Sequence, residues 1–83
     1  MTTPDTLKPD DQVTVAIYDS NNMRLYQDSG EGFHNLRQAL EQAISHINND
    51  INPEDCTFEV TNHRTGVVHR YRLNAHGNIK LIV

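Results

Sequence analysis

The stretch Phe33-His34-Asn35-Leu36-Arg37-Gln38-Ala39-Leu40-Glu41-Gln42-Ala43-Ile44-Ser45-His46-Ile47 decides the fold. Phe33, Leu36, Leu40, Ala43, Ile44 and Ile47 recur at the three-, four- and seven-residue spacings that line up side chains on one stripe of an α-helix. At about 100° per residue, Phe33, Leu40 and Ile44 nearly superpose. Gln38, Glu41, Gln42 and Ser45 fall on the opposite side. The spacing predicts a helix over 33–47, about four turns long. Asn35 followed by Gln38 makes a capping-box pair near its start. Asn48-Asn49-Asp50 ends the pattern, and Pro53 keeps the helix from resuming. Such a helix must bury its stripe, and in a chain of 83 residues only strands are left to receive it.

C-terminal to the helix, Cys56, Phe58 and Val60 alternate with Thr57, Glu59 and Thr61, the period of a half-buried strand. His63 to Gly66 then fits a four-residue hairpin loop with glycine at the left-handed end. Closing Asn62 on Val67 sets Val60 opposite His69, Phe58 opposite Tyr71 and Cys56 opposite Leu73. Glu59 meets Arg70 and Thr57 meets Arg72 on the other side. A different closing pair would set apolar side chains against arginines, so the pattern selects this register. Asn74-Ala75-His76-Gly77 has asparagine first and glycine last, as a type I turn with a glycine bulge requires. It sets Leu73 opposite Ile79 and Tyr71 opposite Leu81. Residues 56–83 therefore read as a three-stranded antiparallel meander. Its inner face is Cys56, Phe58, Val60, Val67, Tyr71, Leu73, Ile79 and Leu81, with His69 at the rim, and the helix is expected to lie on it.

N-terminal to the helix, Val13, Val15 and Ile17 alternate with Thr14, Ala16 and Tyr18 in a first strand. Asp19-Ser20-Asn21-Asn22 is a turn, with Asn22 suited to the left-handed position. Met23 to Gln27 is a second strand. Pairing Asp19 with Met23 sets Ile17 opposite Leu25 and Ala16 opposite Tyr26. Residues 1–11 carry Pro4, Pro9 and three aspartates around a single Leu7 and read as a flexible arm, which leaves 12–83 as one domain. The order is β-β-α-β-β-β. This is an α+β, two-layer domain with one amphipathic helix on an antiparallel sheet that ends in the meander.

Composition narrows the function classes. The formal charge of −4 argues against a general nucleic-acid binder, but the charge is uneven. Residues 1–55 hold three cations against ten acids, and residues 56–83 hold four cations against Glu59. With no tryptophan and a small core, self-association as a homodimer is one route to added stability. The single Cys56 excludes an internal disulfide and reads as a small buried hydrophobe. Residues 1–11 have neither the basic nor the apolar segment of a signal peptide, and no apolar run reaches the ~20 residues that span a bilayer. The expected setting is cytoplasmic.

Five histidines invite a metal reading, which their spacing opposes. His63 and His76 occupy turns at opposite ends of one strand, roughly 20 Å apart at ~3.3 Å per residue. His34 and His46 are about 18 Å apart along the helix at 1.5 Å per residue. No metal or other cofactor is expected, since zinc needs three or four convergent ligands. Cys56 and His69 share a face, but their ladder positions differ by four residues, ~13 Å, too far for a nucleophilic pair. Gly30 and Gly32 precede the helix without a phosphate-loop lysine, and Glu31 between them repels an anion. Tyr18, Tyr26 and His34 are the residues nearest to a shallow groove. The chain is expected not to be an enzyme.

The distinctive feature is the outer face of the meander. Arg70, Arg72 and Lys80 share one side, with Arg64 in the adjoining loop and Val68 and Ile82 between them. The expected function is a non-enzymatic interaction module that takes a protein partner, or a second copy, on this face. A nucleic-acid backbone is the alternative ligand of the same patch, opposed by the acidic net charge and by the lack of a stacking aromatic there. A third reading makes the chain an acidic decoy that uses Asp10, Asp11, Asp28, Glu31, Asp50, Glu54 and Asp55, provided they form one continuous strip.

Overall fold

Val13, Val15 and Ile17 are buried on an interior strand of the sheet. The computed structural model describes residues 10–33 and 35–82. In chain order the elements are β1 (Val13–Tyr18), β2 (Arg24–Gly30), α1 (Leu36–Ile44), a short 3₁₀ helix (Pro53–Asp55), β3 (Thr57–Asn62), β4 (Val68–Leu73) and β5 (Ile79–Leu81). All strand pairs are antiparallel, in the order β2-β1-β3-β4-β5. The fold is α+β, one helix on a five-stranded antiparallel sheet that ends in a meander. The arm expected over 1–11 lies outside the described residues as far as residue 9. Asp11 belongs to the folded domain, 1% exposed.

The meander has the expected register. Phe58 pairs with Tyr71, Glu59 with Arg70 and Val60 with His69. Tyr71 pairs with Leu81, Arg72 with Lys80 and Leu73 with Ile79. Both turns close on glycines with positive φ, 73° at Gly66 and 78° at Gly77, a region that costs residues with a Cβ 1 kcal/mol or more, roughly. The Gly66 amide donates to the Asn62 carbonyl at 2.7 Å, and the Asn74 side chain accepts the amides of His76 and Asn78.

Three expectations change. The first hairpin closes as read, with the Asp19 amide on the Met23 carbonyl, so that Tyr18 pairs with Arg24. The register then shifts, and Ile17 pairs with Tyr26 instead of Leu25. Leu25 is the extra residue of a β-bulge, and one inserted residue moves every later side chain to the other face. Tyr26 thus lies on the helix side, where its ring stacks on His46 at 5.3 Å. Tyr18 stays on the outer side, so the two tyrosines cannot share a groove, and His34 lies outside the described residues.

The helix is also shorter than 33–47. Asn35 is its N-cap and accepts the Gln38 amide at 2.8 Å, so regular helix begins at Leu36. At the other end the His46 and Ile47 amides bond three residues back, to Ala43 and Ile44, which tightens the last turn. Phe33 and Ile47 still pack on the core from outside the helix. Third, the helix packs chiefly on β1 and β2 rather than on the meander. Pairing β1 with β3 makes β1 an interior strand, second from the β2 edge, and the helix packs across β1 and that edge. Phe58, Val60, Cys56 and Tyr71 join that core, but His69, Val67 and Leu81 are left exposed on the helix side of β4 and β5.

Candidate functional site

Among the described residues no helix lies on the outer sheet face, and the pairings place its side chains in rows. One row runs Ser29, Thr14, Thr61, Val68. The next runs Gln27, Ala16, Glu59, Arg70, with Ile82 beyond, its amide on the Arg70 carbonyl at 2.9 Å. A third holds Arg24, Tyr18 and Thr57 and continues, one step past the Phe58–Tyr71 pair, toward the Arg72–Lys80 pair. Glu59 is the one carboxylate on the outer side of the described strands, because Asp28 pairs with Val15 on the helix side.

Of the six residues expected to form the site, five share this face. Val68 and Ile82 are 50% and 45% exposed, and Val68 lies diagonal to Ile82, roughly 7–8 Å away. Arg70 donates from Nε to Glu59 Oε2 at 3.1 Å, an exposed pair in which Arg70 keeps most of its surface in water. Arg72 donates from Nη2 to the Glu54 carbonyl at 3.2 Å. Lys80 makes no ion pair among the described residues.

Arg64 is the sixth, and it turns away. Its guanidinium donates to both oxygens of Asp11, whose Oδ2 also accepts from Asn62 Nδ2 at 3.1 Å. That hydrogen bond and the adjacent carboxylate push the Arg64 pKa further up. The cluster locks the β3–β4 loop against the start of β1, where the His63 amide extends the ladder by bonding the Gln12 carbonyl. A residue in step with Val13 would be apolar if only the period spoke. No sequence signal joins Asp11 to a partner fifty-three positions away.

Two further residues belong to the face and were not singled out in the sequence. Arg24 lies opposite Tyr18 and donates from Nη1 to Gln27 Oε1 at 2.8 Å. The Asp19–Met23 closing pair already implies that Arg24 faces Tyr18. What the sequence lacked was the strand order that joins β1 to β3 and makes the rows continuous. At the opposite end Thr14 Oγ1 bonds Ser29 Oγ at 2.8 Å and His63 Nε2 at 2.6 Å, a polar border to the patch.

Elsewhere, Cys56 is buried with its Sγ 3.6 Å from the Asn52 carbonyl. Burial, reinforced by Asp55 and Asp19, pushes its thiol pKa up, the reverse of what a nucleophile requires. His69, expected at the rim of the inner face, is exposed, its ring edge-on to Tyr71 at 6.1 Å. Ile44, Pro53, Leu73 and Ala75 line an open apolar cleft of about 240 Å³, below the ~300 Å³ at which ligand pockets usually begin. Among the described residues no three metal-ligating side chains converge, and no helix is long and apolar enough to cross a membrane. No protein-family model, curated protein or solved structure matches the chain.

Proposed function

We propose that this chain is a non-enzymatic interaction module whose working surface is the outer sheet face, and that it receives an acidic protein partner there. One observation carries the reading. In a chain of net charge −4, the outer side of the described strands gathers Arg24, Arg70, Arg72 and Lys80 against one carboxylate of those strands, Glu59. Cations collected on one sheet face attract an acidic partner from a distance, and the exposed Val68 and Ile82 add apolar contact once it arrives.

Lys80 and Arg24 form no ion pair within the described fold, so reversing them tests the reading without breaking the Arg70–Glu59 pair. Titration with a glutamate-rich peptide should move the amide resonances of Thr57, Val68, Arg72 and Lys80. Lys80→Glu with Arg24→Glu should abolish those shifts and leave the circular dichroism spectrum unchanged. Shifts confined to the helix side would refute the assignment.

Nucleic acid is the second reading, favoured by one feature. Tyr18 stands next to Arg24 and is drawn toward Arg72 and Lys80 along the third row, so the five-stranded sheet adds an aromatic to the cations. It predicts binding of a single-stranded oligonucleotide with an affinity that falls steeply with salt. The decoy reading loses support, because Asp11 is buried on Arg64. Asp10, Asp28 and Glu31 lie toward the start of β1, whereas Glu54 and Asp55 lie by its far end, where Tyr18 pairs with Thr57.

A further inference from the structure

The sheet ends at β5, and its register says which backbone groups are unpaired there. The Ile82 amide donates to the Arg70 carbonyl and the Asn74 amide to the Asn78 carbonyl. Pairs 70–82, 72–80 and 74–78 are therefore the hydrogen-bonded ones, and 71–81 and 73–79 are not. The N–H and C=O groups of Lys80 and Ile82 consequently point into the sheet. Those of Ile79 and Leu81 point out of it, where no strand follows among the described residues. At the opposite edge, β2 carries the bulge at Leu25, a common device against edge pairing. The β5 edge has no bulge. Leu81 is 54% exposed on its helix side, and Lys80 and Ile82 are exposed on its outer side.

We infer that β5 is a docking edge that takes an extended peptide as a sixth strand, acidic on one side and apolar on the other. This deepens the outer-face reading and rests on it. The occupant's chemistry follows from the register. A residue that exchanges both hydrogen bonds with Leu81 sets its side chain beside Leu81, so it is apolar. Its neighbour falls opposite Lys80, next to Arg72, so it is acidic. A second copy fits less well: antiparallel self-pairing centred on Lys80 sets ammonium against ammonium. Lys80 repels basic or self-paired strands and selects acidic ones.

The test uses the full chain and an eight-residue peptide that alternates glutamate and valine. Binding should slow hydrogen exchange at the Ile79 and Leu81 amides while leaving Lys80 and Ile82, already bonded, little changed. N-methylation of the valines removes the N–H groups that face Leu81 and should weaken binding about tenfold or more, whereas N-methylation of the glutamates should be tolerated. Lys80→Glu should lose this peptide and gain its lysine–valine counterpart. If the peptide binds and shifts Val68 and Arg72 but neither exchange nor N-methylation matters, edge docking is overturned and the outer-face reading stands. If no acidic peptide binds at low salt, both fall. If Leu81 becomes protected as protein concentration rises without peptide, the edge serves a second copy and the peptide assignment is overturned.

Discussion

Replacing Phe58 with alanine removes the side chain on which both sheet pairings converge. Phe58 is 0% exposed and pairs with Ile17 on β1 and with Tyr71 on β4. Leu36 and Leu40 of the helix belong to the same core cluster. A phenylalanine cut to alanine in a packed core costs about 3–5 kcal/mol, from lost burial plus the cavity left behind. At roughly 0.05–0.15 kcal/mol per residue, a chain of this length has a total stability of about 4–12 kcal/mol. The substitution is thus expected to consume about a quarter of the stability at least, and about three quarters or more at the low end. Each kcal/mol shifts the midpoint by about 4–8 °C in a domain this small, so thermal melting should fall by at least ~12 °C. Phe58→Leu keeps most of the volume and should cost less than half as much. Urea melts of the two variants and of Val68→Ala, on the outer face, should show unchanged slopes and midpoints in the order Val68→Ala, Phe58→Leu, Phe58→Ala. A loss for Phe58→Ala no larger than that for Val68→Ala would refute the claim that one core joins both parts of the sheet.

Three other outcomes follow from the same geometry. Asn35→Ala leaves the Gln38 amide without its cap and should cost about 1 kcal/mol in a urea melt, whereas Asn35→Ser should restore most of it. Arg64→Ala leaves the buried Asp11 carboxylate without its cation, whereas Asp11→Ala leaves a guanidinium that is 51% exposed and can turn to water, so Arg64→Ala should lower the melting midpoint more; the reverse order would contradict the lock drawn between them. The Cys56 thiol and the Tyr26 phenol both hold raised pKa values in the fold, burial being the first cause in each and Asp28 adding to it at Tyr26. Groups raised on folding stabilise in full below the unfolded value and cease to as pH climbs through the folded one. Stability should therefore decline above about pH 8.5 for the thiol and about pH 10 for the phenol. In melts across pH 8 to 11, Cys56→Ala and Tyr26→Phe should each flatten that decline.

The meander was legible because two signals agreed at every position. Each loop offers glycine where φ must be positive, and each resulting register keeps apolar residues opposite apolar ones, so an error of one residue would have set Phe58 or Tyr71 against arginine. The first hairpin gave no such contradiction. Leu25 and Tyr26 are both apolar enough for the helix side, so the period could not reveal that Leu25 is skipped. The helix limits were blurred for a related reason: Phe33 and Ile47 sit on the stripe and pack on the core, yet the Asn35 cap and the tightened last turn exclude both from the regular helix. The side on which Arg70, Arg72 and Lys80 stand came with the register. Arg64 did not, because a loop residue has no period, and its partner lies at the far end of the sequence.

Strand order was the largest unknown, and it decides where a binding surface can lie. A helix is about 10 Å across with its side chains, while five strands at ~4.8 Å spacing span nearly twice that. One helix cannot cover such a sheet, so some strands must go bare on the inner side as well as the outer. Had the helix lain over the meander, β1 and β2 would be the bare pair, with Val13, Val15 and Ile17 facing water. Seated over β1 and β2 instead, the helix protects the most apolar strand and leaves Val67, His69 and Leu81 on the helix side of the β4–β5 ribbon uncovered. That ribbon carries Val67, Val68, Leu81 and Ile82, four of the five large apolar side chains exposed among the described residues. It also carries Arg70, Arg72 and Lys80. Exposed apolar groups, the unpaired ammonium of Lys80 and edge backbone that meets no further described strand therefore coincide where the single helix runs out of width, and that coincidence supports the proposed docking at β5 and its outer face.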